Sequence, residues 1–236
     1  MITITNLKKS FDKLEVLKGI NISIKKGKIT YIVGPNASGK TTMIKSLLGL
    51  VRIDEGKILI DDFKLNGDWH YRENIGYMPQ IANFPENLKV EEILKMVKDL
   101  RSNAPKYDED LINKFNLKTE FNKRLKNLSG GTRQKVNACI AFLFDPDILI
   151  LDEPTAGLDP LSSSILKDKI LEENEKGKTI IFTSHLLTEL ERLAQDVIFL
   201  LDGRICFHGT ITDLISETKQ ADLERAIASM ITNKCA

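Results

Sequence analysis

Apolar residues in this chain alternate with polar ones in some stretches, run unbroken in others, and elsewhere recur at helical spacing. Each pattern predicts its own kind of element. Residues 2–7 and 20–24 read as strands, the first by its alternation. Ile29-Thr30-Tyr31-Ile32-Val33 is an apolar, β-branched run that reads as a buried strand, followed by a predicted helix over 42–48 and a strand over 57–60. This first block reads as a β-rich layer. From about 90 to 117 the spacing turns helical, with Ile93, Leu94 and Val97 on one face and Leu111, Ile112 and Phe115 repeating the theme, so a small helical subdomain is predicted. A helix over 135–144 follows. Residues 147–151 and 179–183 are short apolar runs bounded by turn signals and separated by a polar helical stretch over 161–176, the alternation a parallel α/β sheet requires. Residues 197–201 and 204–208 flank Asp202-Gly203, the strongest hairpin signal in the chain, and residues 210–232 read as helical.

Between the strand over 29–33 and the helix over 42–48 stands Gly34-Pro35-Asn36-Ala37-Ser38-Gly39-Lys40-Thr41, which fits G-x-x-x-x-G-K-[ST] at every fixed position. The strand–loop–helix context is the one this pattern needs. Glycines let the backbone approach phosphate oxygens closely, so that successive N–H groups and the positive end of the helix dipole face the anion. Lys40 adds a mobile positive charge, Thr41 offers a hydroxyl to a Mg2+ ion bridging the β- and γ-phosphates, and Thr42 helps hold the phosphates.

Composition narrows the class without naming it. The 236 residues are 42% hydrophobic and 28% charged, as in an ordinary globular protein, and the formal net charge of +1 leaves no footprint for nucleic acid or an anionic membrane. The longest clean apolar run, 138–144, is far short of a membrane span, and the first residues lack the pattern of a secretory signal, so the expectation is a cytoplasmic protein. Cys139, Cys206 and Cys235 are far apart and predict neither a disulfide framework nor a zinc site.

Two further segments carry chemistry. Ile148-Leu149-Ile150-Leu151-Asp152-Glu153 sets two carboxylates at the end of an apolar strand, where doubly wound sheets bind ligands. Asp152 suits Mg2+, and Glu153 suits the polarising of a water that attacks the γ-phosphate. Leu128-Ser129-Gly130-Gly131-Thr132-Arg133-Gln134 precedes a helix, so Ser129, Gly130 and Gly131 form a second anion-accepting surface. A chain with its own phosphate loop has a use for that second surface if it serves another subunit's nucleotide.

With these motifs in order, the chain resembles the ATP-binding cassette (ABC) ATPases over nearly its whole length. Residues 128–134 resemble the family signature, 148–153 its second carboxylate motif, Ala156-Gly157-Leu158-Asp159 its dimer-contact loop, and His185 its switch histidine, with Glu189 four residues on. Gln80 in Tyr77-Met78-Pro79-Gln80 matches the glutamine at the edge of the helical subdomain, and Phe11 stands where the family has an aromatic that stacks on adenine. Ala37 and Thr132 depart from residues frequent at their positions and remove no catalytic side chain.

The resemblance implies an α/β fold, a P-loop NTPase core with a β-rich nucleotide-binding layer and a small inserted helical subdomain. The core is expected over 1–80 and 145–220, the subdomain over about 81–144, and a short helix and tail over 221–236. It implies a head-to-tail dimer, of like or related subunits, trapping ATP between one phosphate loop and Ser129 to Gly131 of the other copy, with Asp159 beside the nucleotide. Lys40, Gln80, Glu153 and His185 carry the catalytic roles, and Thr41, Gln80 and Asp152 hold Mg2+. It also implies a separate transmembrane permease subunit that keeps the ATPase on the cytoplasmic face of the inner membrane. The alternative is a non-transport member acting on ribosomes or DNA, which the near-neutral charge and the lack of a second cassette or coiled-coil insertion disfavour. Within exporter-like systems, residues 75–80, 84–87 and 129–135 resemble the copper-related ATPases that help mature nitrous-oxide reductase, which implies a periplasmic substrate-handling partner. Composition itself shows no soft-metal cluster.

Overall fold

The computed structural model describes residues 1–61, 63–65, 69–101, 106–184 and 191–232. In chain order its strands are β1 (Ile2–Phe11), β2 (Leu14–Ile24), β3 (Ile29–Val33), β4 (Glu55–Ile60), β5 (Phe63–Lys64), β6 (Ile75–Met78), β7 (Ile148–Asp152), β8 (Thr179–Thr183), β9 (Asp196–Leu201) and β10 (Arg204–Gly209). Its helices are α1 (Lys40–Leu47), α2 (Val90–Leu100), α3 (Asp110–Lys114), α4 (Gly130–Phe142), α5 (Pro160–Glu175), α6 (Ile211–Thr218) and α7 (Leu223–Thr232). Among the described residues no helix is long and apolar enough to cross a membrane.

Two compact units emerge, Met1–Glu73 with Thr179–Ala236, and Asn74–Lys178. In the first unit β1 pairs antiparallel with β2 and with β4, in registers that set Ile2 opposite Ile24 and Ile60, and Ile4 opposite Ile22 and Ile58. All six are buried, so one face of this sheet is a continuous isoleucine layer. β3 runs parallel to both β8 and β9, and every residue of the three strands is buried. That is why they read as unbroken apolar runs. The β9–β10 hairpin turns on Asp202 and Gly203, both at positive φ (46° and 77°), as a tight two-residue turn of this kind demands. The helical reading over 210–232 resolves into α6 and α7, parted where Lys219 ends α6 in a left-handed conformation.

In the second unit β6 pairs parallel with β7, from Ile75 opposite Ile148 to Met78 opposite Leu151. α4 packs so closely on β6 that a Cβ at Gly76 would lie 2.1 Å from the Ala141 carbonyl oxygen. Cys139 is buried in α4, where burial pushes its thiol well up. Cys206, on β10, is disulfide-bonded, which the cysteine spacing does not predict.

Candidate active site

The phosphate loop lies in the first unit, between β3 and α1. Gly34 is glycine by necessity, because a Cβ there would lie 2.0 Å from the Leu200 carbonyl oxygen. Gly39 caps α1 at φ 106°, a conformation only glycine adopts without strain. No side chain caps α1 and no acidic residue occupies its first turn, so its leading N–H groups face the loop. Lys40 Nζ is folded back onto the carbonyl oxygens of Gly34 (2.7 Å) and Pro35 (2.9 Å). Among the described residues, Ser38 Oγ is buried with no hydrogen-bond partner. A buried hydroxyl without a partner, a lysine held on the loop and an uncapped helix start together fit an anion.

Six further residues on this unit are open or only half-buried. Thr41 is exposed and Thr42 half-buried on α1, while Asn36 and Ala37 form the outer loop, Ala37 at φ 63°. Pro35 is half-buried beside them. Phe11, at the end of β1, is 46% exposed with the Lys9 ammonium 5.2 Å from its ring centre. An open ring of this kind suits stacking against a flat base. His185 and Glu189 lie outside the described residues.

The second unit gathers the acidic strand end, the second anion surface and Gln80. Asp152 closes β7 and is almost fully buried, and its charge, after burial itself, helps push the neighbouring Tyr77 hydroxyl up to about 12. Glu153 follows at φ 52°, left-handed for a residue with a side chain. Gln80 is exposed, two residues beyond β6.

Ser129 is the N-cap of α4, its hydroxyl accepting from the Thr132 N–H at 3.1 Å. Gly131 has a structural reason to lack a side chain, since a Cβ would sit 2.8 Å from the Gly157 carbonyl oxygen. Among the described residues Gly130 has none, because a Cβ there would meet nothing within 4 Å.

Asp159 turns out to be engaged inside the chain. It caps α5 by accepting from the Ser162 N–H (2.9 Å) and pairs with Lys135 (3.1 Å). Those Ser162 hydrogen bonds, with Lys135 behind them, hold its carboxyl well below the usual range. Gln134 and Asn137, whose side chains reach the backbone just beyond β7 and β6 respectively, have no role in the sequence reading. Their only signal is two amides on a helix otherwise rich in small and apolar residues.

The family model described as ABC transporter matches residues 17–156. A linearmycin resistance ATP-binding protein of Bacillus subtilis is 33% identical over 221 residues, covering 92% of this chain and 71% of that protein. A lantibiotic transport ATP-binding protein of Streptococcus pyogenes is 34% identical over 207 residues, covering 87% of this chain and 89% of its own. Among solved structures, a dimeric ATP-binding cassette in a post-hydrolysis state, bound to ADP and Pi, superposes with a TM-score of 0.79. It is 25% identical, with 89% of this chain and 98% of that one covered. The family match runs unbroken from β2 through the phosphate loop to the carboxylates that end β7, and the chain therefore belongs to the ABC transporter family, as an ATPase with the ABC ATPase fold.

Proposed function

We propose that two copies of this chain close head to tail on ATP, each nucleotide held between the phosphate loop of one copy and Ser129, Gly130 and Gly131 of the other. Gly130 carries this reading. Its missing side chain leaves open space among the described residues, at the exposed start of α4, which is what close approach by another molecule needs. The solved cassette that resembles this chain is itself dimeric. Loss of the γ-phosphate then removes an anion shared by two positive surfaces, and the closed state loses its advantage.

In this reading Lys40 neutralises the phosphates, Phe11 stacks on adenine, and Thr41, Asp152 and Gln80 hold Mg2+. These are hard oxygen donors, the kind Mg2+ takes, and the ion's chemistry when bound is to withdraw charge from the phosphates. Glu153 polarises the attacking water and His185 contacts the γ-phosphate. Asp159, already committed to Lys135 and to its capping role, sets the loop that borders the nucleotide. The work reaches a separate membrane subunit, which holds the ATPase on the cytoplasmic face of the membrane.

For cargo, the two relatives above are named for linearmycin resistance and lantibiotic transport, which favours an exporter-type system for compounds of that kind. Neither name supports the copper-related subtype or a periplasmic partner. Transport also fits the family better than action on ribosomes or DNA.

The test is steady-state ATP hydrolysis by purified protein. Glu153→Gln is expected to bind ATP and lose nearly all turnover, and Lys40→Ala to bind ATP weakly. Normal hydrolysis by either variant would overturn these roles.

A further inference from the structure

One face of α4 carries a pair of buried amides. Gln134 and Asn137 lie one turn apart, 8% and 2% exposed, among the buried side chains Val136, Ala138 and Cys139. The Asn137 amide nitrogen donates to the Pro79 carbonyl at 2.8 Å and to the Gln134 Oε1 at 3.4 Å. The Gln134 amide nitrogen in turn donates to the carbonyls of Glu153 and Pro154, each at 3.3 Å. A primary amide has two N–H groups, so each nitrogen can serve both of its acceptors. The line of hydrogen bonds thus runs from the residue before Gln80, across α4, to the backbone of Glu153.

Such a line is costly to break. A buried carbonyl stripped of a donor costs a desolvation penalty, so α4 cannot shift against the two strand ends without a loss at each. Glu153 also has a backbone that needs holding, because φ 52° is disfavoured for a residue with a Cβ and persists only where the surroundings enforce it. Its carbonyl accepts from the Ala156 N–H at 3.2 Å, within the same loop, and from the Gln134 amide, which reaches it from α4.

We propose that Gln134 and Asn137 are positioning residues for hydrolysis. They hold the Glu153 backbone in its left-handed turn and so aim its carboxylate. Through α4 they tie that carboxylate, and the entry to Gln80, to the helix that presents Ser129 to Gly131. The proposal rests on Glu153 being the group that polarises water. Misplacement of such a group by about 1 Å is enough to cost roughly a hundredfold in rate.

The experiment compares Gln134→Met and Asn137→Leu, which keep size and lose the donors, with Glu153→Gln and the unaltered protein. The readouts are kcat, KM for ATP and melting temperature. Each amide variant is expected to lose about tenfold or more in kcat with KM within about twofold, and the double variant to fall little further than the worse single one, because the pair acts as a unit. Gln134→Lys, which restores a donor of similar reach, is expected to recover turnover relative to Gln134→Met. Should Gln134→Met not fold, Gln134→Asn, one methylene too short to reach either carbonyl, is read in the same way. A dead Glu153→Gln beside near-normal kcat in Gln134→Met and Asn137→Leu overturns the relay alone. Normal turnover by Glu153→Gln overturns the assignment of the base and the relay with it. Losses of kcat that multiply in the double variant, with no recovery by Gln134→Lys, also overturn it.

Discussion

Ala37 sits at φ 63° on the outer phosphate loop, where its methyl group crowds the backbone and a glycine would not. Ala37→Gly is therefore expected to stabilise the fold by up to about 1 kcal/mol, the relief of strain outweighing the extra freedom of glycine in the unfolded chain. The urea midpoint measures it. The same conformation at Glu153 has a different meaning, because there the side chain is needed and the strain is held by neighbours. At this scale the phosphate loop was legible because its spacing fixes backbone and charge at once. Gln134 and Asn137 were not, since a hydrogen bond to a carbonyl far along the chain leaves no periodic trace. Asp159 was assigned by its motif, yet its capping of α5 and its pairing with Lys135 appear only in three dimensions.

α5 reads from sequence as a polar helix, yet two of its charges are buried. Lys169 is 2% and Glu173 0% exposed, and they pair at 3.0 Å. Lys169 also reaches Asp108 (2.7 Å) ahead of α3, while Glu173 pairs with Lys176 (2.6 Å) and with Lys178, which also pairs with Asp145. Alternating charges on a helix look the same from sequence whether water or another charge faces them. Glu173→Leu would leave Lys169 with Asp108 and Lys178 with Asp145 but remove the carboxylate they share, and is expected to cost about 1–3 kcal/mol in urea unfolding.

The acid limb of stability follows from the same residue. Burial alone would raise the Glu173 carboxyl, but hydrogen bonds from Lys176, Lys178 and Lys169 outweigh it and bring it from 4.5 down to about 2. The folded state thus refuses a proton that the unfolded chain accepts. The stabilisation is full above 4.5 and is lost as pH falls from there toward about 2, so unfolding midpoints taken down to about pH 3 should drop more steeply in the natural chain than in Glu173→Gln. Among the strands, β3, β7 and β8 were legible as unbroken apolar runs. β6 went unassigned because it has only four residues and a glycine inside, and that glycine is there for α4.

For the molecule as a working dimer, Gly130 separates folding from assembly. A Cβ at Gly130 meets nothing within 4 Å among the described residues and Gly130 is exposed, so for Gly130→Leu the melting temperature is expected to change little and ATP to bind still to a single copy. Turnover is expected to fall at least tenfold, with no dimer on size-exclusion chromatography in ATP even when Glu153→Gln is added to block hydrolysis. Family membership was legible in the order of the motifs, whereas the cargo was not, because nothing in this chain is required to touch it.

The β9–β10 turn also bears on how the protein is made. Its Gly203 N–H holds the Ser38 carbonyl at 3.1 Å, and its Gly203 carbonyl accepts from the Lys18 N–H at 2.9 Å. The Leu200 carbonyl is the surface against which Gly34 is shaped. On the ribosome the phosphate loop emerges early and these braces emerge only after most of the chain has been synthesised, and contacts so distant in sequence close late. A nascent chain stopped ahead of β9 has the whole nucleotide motif and lacks the braces from Leu200 and Gly203. A chain ending ahead of β9 is therefore expected to bind ATP at least tenfold more weakly than the full chain, which equilibrium binding to a version truncated after residue 195 measures.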